Sequence, residues 1–74
     1  MHYDNTKLIR MAKQMADFFR AQPDISAPEA VADHINDFWT PDMRREFVDL
    51  IASGGEVDPV VRDAAAFVRL PSAA

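Results

Sequence analysis

Apolar residues recur every three to four positions along most of this chain, the spacing that places them on one face of an α-helix. From Lys7 to about Ala21 the stripe is Leu8, Ala12, Met15 and Phe19, with Met11 and Ala16 beside it and Asp4-Asn5-Thr6 offering N-caps ahead of it. Ile9 and Phe18 fall at its edges and widen the apolar face to about half the cylinder, beyond the roughly 100° a surface helix requires. Either they pack on neighbouring helices or one edge docks on another chain.

Gln22-Pro23-Asp24-Ile25 reads as a connector, and Ser26-x-x-Glu29 as a capping box that starts a second helix near Ala27. That helix carries Val31, Ile35 and Phe38 inward and Asp33 and Asp37 outward, with His34 and Trp39 on its flanks. Thr40-Pro41 ends it and begins a third helix, because a residue before proline avoids the α region, threonine caps free N–H groups, and proline suits the first helical position. The third helix runs from Pro41 to about Ser53 on a stripe of Met43, Phe47, Leu50 and Ile51, with Val48 facing away and Gly54 closing it. Asp58-Pro59 repeats the start signal, and Val60, Ala64, Phe67 and Val68 point inward along a fourth helix ending at Leu70-Pro71. No segment alternates with period two, so the pattern predicts an all-α, small compact bundle of about four short helices and no sheet, one domain over residues 1–74 with 1–5 and 71–74 frayed.

Composition narrows the function. A 74-residue chain buries only about 60% of the surface its unfolded form exposes, yet 49% of these residues are hydrophobic. The excess implies apolar surface left over after folding, which commonly marks a protein interface. The net charge of −4, with eight scattered basic residues, speaks against a nucleic-acid partner. A helix-turn-helix reading of the second and third helices fails on the same ground, since the reader helix would present Arg44 and Arg45 among Asp42 and Asp49. Without cysteine there is neither a disulfide framework nor a thiolate metal site, which fits a cytoplasmic protein. No apolar run approaches the roughly 20 residues of a membrane span, and Met1-His2-Tyr3-Asp4-Asn5 is polar, unlike a signal peptide, so the chain reads as soluble.

Catalytic chemistry is hard to assemble. Of two histidines, His2 lies near the N-terminus and His34 sits one turn before Phe38, where it is expected to be partly buried and donate an N–H to a backbone carbonyl, or to serve an interface. Asp33 and Asp37 read as a solvated pair, and Gly54-Gly55 follows a helix where a phosphate cradle would precede one. The chain therefore reads as carrying no catalytic, cofactor or metal site. Around the Thr40-Pro41 corner, Trp39, Met43, Arg44 and Arg45 are residue types enriched at interface hot spots. Met43 reads as a core plug; for Trp39, core and interface are both open.

The segment His34-Ile35-Asn36-x-Phe38-Trp39-x-Pro41-x-Met43-Arg44 resembles the signature of the small delta subunit of NAD-dependent, molybdenum- or tungsten-containing formate dehydrogenases. Lys7 to Ala12 with Gln14, Ala16 and Phe18-Phe19-Arg20 resembles that family's first helix, and Gly54-Gly55 with Asp58-Pro59-Val60-Val61-Arg62 its C-terminal part. The resemblance implies a non-catalytic accessory subunit, associated with assembly and stability of the complex and bringing no cofactor of its own. The bis-molybdopterin guanine dinucleotide and iron–sulfur clusters belong to the alpha catalytic subunit, and FMN, NAD and further clusters to the beta and gamma subunits. The expected partner is the alpha subunit, and the expected contact set is His34, Asn36, Trp39, Arg44 and Arg45. The alternative is a stand-alone homo-oligomer that buries its excess apolar surface against itself.

Overall fold

The computed structural model describes residues 5–54 and 57–70, and its helices are α1 (Asn5–Arg20), α2 (Ala27–Phe38), α3 (Pro41–Ala52) and α4 (Pro59–Ala64), followed by one 3-10 turn, Ala65–Phe67. There is no strand among the described residues. α2 is the hub, packing against α1, α4 and the 3-10 turn, while α1 also reaches α3 and α4. Of the three candidate caps for α1, Asp4 lies outside the described residues, and Asn5 and Thr6 are already helical. The expected fraying of 1–5 and 71–74 likewise falls outside them, apart from Asn5, and so does Gly55.

Two helix starts form as their local chemistry dictates. Thr40 Oγ1 accepts the Met43 N–H at 3.2 Å, and Asp58 Oδ1 accepts the Val60 N–H at 2.8 Å, each cap standing before a proline at the first helical position. Gly54 closes α3 with φ of +88°, a left-handed conformation that costs glycine nothing. The capping box expected at Ser26 does not form: its side chain makes no capping hydrogen bond. Pro28 removes the second helical N–H as a possible partner, and the Glu29 N–H that a capping box uses is not bonded by the serine either.

The core is built around smaller residues than the stripe suggested. Leu8, Ala12 and Ala16 of α1 meet Val31, Ala32, Ile35 and Trp39, with Phe47 of α3 and Val61, Ala64 and Val68 closing the far side. Met15, Phe19 and Met43 are half-buried against this cluster, and so is Val48, which was expected to face away. Two aromatic residues expected inside are outside: Phe38 is 72% exposed and Phe67 49%. In α2 the inward ridge is Val31, Ile35, Trp39 at four-residue steps, which leaves Phe38 on a flank; in the last helix Val61 takes the place expected for the half-buried Val60. The alanines let the helix axes approach closely, so there is no room for a phenylalanine between them.

α4 stops at Ala64, six residues short of the expected Leu70, and Val68 is extended at φ −76° and ψ 128°. At its other end, Asp58 joins α4 to α1 through a 2.8 Å ion pair with Arg20, and the Asp58 side chain is only 12% exposed. The Arg20 hydrogen bond, assisted by the Val60 N–H, holds the Asp58 carboxyl below the usual carboxylate range.

Phe47→Ala should destabilise the domain by about 3–5 kcal/mol in urea titrations, whereas Phe38→Ala should stay within about 0.5 kcal/mol of the parent. Because the folded-state pKa of Asp58 is depressed, its contribution is complete above the unfolded value of about 3.9 and is lost as pH falls through the folded value. Asn also caps helices but cannot form the ion pair, so Asp58→Asn should flatten the acid limb of stability against pH while leaving α4 formed.

Candidate docking surface at the helix corner

Trp39, at the end of α2, is 6% exposed and meets Phe47 edge to face with ring centroids 5.6 Å apart. It belongs to the core, and it also forms part of the floor of an open cleft of about 430 Å³ between α1 and the end of α2. Met11, Gln14, Met15, Phe18 and Phe19 form the α1 wall, and His34 faces them from α2. Phe18 is 62% exposed and rests edge-on against Phe19 at 5.2 Å. Beyond the rim the His34 ring lies 4.7 Å from Phe38, so the aromatic surface continues past the cleft. His34 is exposed and packed on an aromatic ring, where partial burial had been expected.

Asn36 and Arg44 meet on the other side of α2. The Asn36 amide grips an extended C-terminal strap, donating from Nδ2 to the Phe67 carbonyl at 3.2 Å and accepting the Arg69 N–H at Oδ1 at 2.8 Å. This two-point grip takes the Phe67 and Arg69 backbone out of helical pairing, which accounts for the early end of α4. Arg44 Nη1 donates to the Asn36 carbonyl at 3.3 Å, one of the four carbonyls a helix C-terminus leaves unpaired, and its positive charge also suits that end of the helix dipole. Arg44 Nε is buried without a hydrogen-bond partner among the described residues.

The five residues singled out by sequence thus divide. His34 and Trp39 share the cleft, Asn36 and Arg44 form a clamp within the chain, and Arg45 is exposed apart from both. Sequence reasoning missed Met11 and Met15 as cleft residues and placed Phe38 inside. The unusual width of the α1 apolar face, with Phe18 at its edge, was the available signal. Among the described residues no group of three His, Asp or Glu side chains converges as a metal-ligand set, and no helix is long and apolar enough to cross a membrane.

These features define a small all-helical domain with an open cleft lined by Phe18, Phe19, His34 and Trp39. A family model described as NADH-dependant formate dehydrogenase delta subunit FdsD matches residues 7–65, and the chain belongs to that family. The matched stretch contains the whole cleft and corner and ends before the strap at Phe67–Arg69. No curated protein and no solved structure matches the chain.

Asn36→Leu, which leaves the strap's N–H and C=O unpaired, should cost about 1–3 kcal/mol and speed hydrogen exchange at the Arg69 amide well beyond that in α1. Asn36→Asp keeps the acceptor and should fall between Leu and the parent.

Proposed function

We propose that this chain is an accessory subunit without an active site of its own, docking on the alpha subunit of a cytoplasmic NAD-dependent formate dehydrogenase. The observation that carries this reading is the exposed aromatic cleft on a chain of the delta-subunit family. Phe18, against Phe19, and Phe38, against His34, each leave most of their surface in water, and such exposed aromatic side chains are what a protein interface covers. His34 and the cleft edge of Trp39 belong to the same contact, and Arg45, exposed on α3 away from the cleft, is available to pair with a carboxylate of the partner. Asn36 and Arg44 act indirectly, by fixing the end of α2 from which His34, Phe38 and Trp39 project.

A subunit that binds one folded state of its partner stabilises that state by mass action, by about 2.7 kcal/mol when its free concentration is a hundred times Kd. Docking would in this way favour an alpha subunit competent to receive or keep its molybdenum or tungsten cofactor, which resides in the partner. The redox centres and NAD site remain on the large subunits, and this chain contributes to assembly and lifetime.

Formate dehydrogenase prepared without this chain should have lower metal content, lower formate-dependent NAD reduction and a shorter half-life than enzyme prepared with it. Phe18→Glu, on a residue already exposed, should reproduce that loss with the helical circular dichroism of the chain intact. Equal metal content, activity and half-life in all three preparations would contradict the proposal.

A further inference from the structure

We infer that the cleft receives an amphipathic helix of the partner protein whose apolar face is bordered by lysine and arginine on the edge lying over α2. This rests on the docking reading above and adds the chemistry of what docks. The α1 wall presents Met11, Met15 and Phe18 at positions i, i+4 and i+7, so the apolar track covers about 10 Å of helix axis, roughly two turns. Two helices forming an open groove floored by an aromatic ring suit a third helix laid between them. Methionine, flexible and polarizable, adapts to whatever side chains that helix inserts.

Charge decides which helix fits. Glu29, Asp33 and Asp37 are all exposed and stand at four-residue steps along α2. Asp33 precedes the rim residue His34 by one position, and Asp37 precedes Phe38, the ring packed on His34, so the acidic row lies about 100° around the helix from the aromatic one. None of the ion pairs among the described residues engages these three carboxylates, whereas Asp17 and Asp58 are each paired within the chain. Like charges one turn apart repel, so α2 carries an unfavourable row that a basic flank on the docked helix would relieve. A second copy of this chain would bring the same three carboxylates and a net charge of −4, setting like against like. Nucleic acid meets the same obstacle.

The chain's one tryptophan lies at the cleft floor and supplies a direct reporter. Three tryptophan-free peptides of about 18 residues, sharing one apolar face and bordered by Lys/Arg, Gln or Glu, would be titrated into the full chain while Trp39 fluorescence is followed. The Lys/Arg peptide should bind at least about tenfold more tightly than the Glu peptide at low salt, and the ratio should shrink near 1 M salt, where the Debye length is about 3 Å. Asp33→Lys with Asp37→Lys should reverse the order of affinities, and Phe18→Glu should abolish binding of all three. Equal affinities, a preference for Glu, or no binding would overturn the inference. Capture of formate dehydrogenase subunits by the parent chain distinguishes the two readings: if capture persists while the peptides fail, the subunit role stands and only the basic helix falls; if capture also fails, both fall.

Discussion

Burial of the Val31, Ile35, Trp39 ridge of α2 is what the remainder of this small domain depends on. All three side chains are buried, and each is worth about 1.5–3 kcal/mol when taken from water into a packed interior. Four helices of 16 residues or fewer have little stability alone, so they persist because their apolar stripes close on this ridge. Ala12, Ala16 and Ala64 let α1 and α4 approach it, and Phe47 meets Trp39 edge-on from α3. The polar contacts follow from that arrangement. Once α2 is central, its C-terminal carbonyls need partners, and Arg44 serves one while the Asn36 amide fastens the strap beside it.

The same ridge explains the exposed surface. With Trp39 turned inward at four residues from Ile35, Phe38 has to lie on a flank, where it meets His34. With alanines filling the α1–α2 contact, the longer Met11, Met15 and Phe18 project along one side and leave an open cleft. A domain of this size cannot enclose so large a share of hydrophobic residues, and part of the surplus, Phe18 with the half-buried Met11, Met15 and Phe19, lines the cleft, while Ile25, Phe38, Phe67 and Leu70 are exposed outside it.

What was legible in the sequence was what short-range chemistry controls. Thr40-Pro41 and Asp58-Pro59 announce α3 and α4 because cap and proline act on adjacent backbone, and Gly54 announces the end of α3 in the same way. Ser26-x-x-Glu29 misled: Pro28 removes one N–H group the serine could bond, and the serine leaves the Glu29 N–H of the capping box unengaged as well. The end of α4 was illegible since the Asn36 that sets it lies 31 residues from Phe67 in the chain. Phe38 and Phe67 were misplaced for a related reason: periodicity fixes a stripe only to within a flank, and size then favoured the aromatics over the alanines that pack there. At the candidate site His34 and Trp39 were identified together. Asn36 and Arg44 stood out for their polarity, but their mutual contact joins α2 to α3 and is a tertiary fact.

Membership of the delta-subunit family and a cleft lined by Phe18 and His34, with exposed Phe38 beside His34, together support a chain whose work is done at an interface. The most direct test places a photo-reactive phenylalanine analogue at position 18, 38 or 62 and irradiates each chain with the purified alpha subunit of formate dehydrogenase. Crosslinks from 18 and 38, with none from 62 on the exposed side of α4, are the predicted result. Crosslinks from 62 alone, or from none of the three while the complex still forms, would contradict the assignment of the cleft as the docking surface.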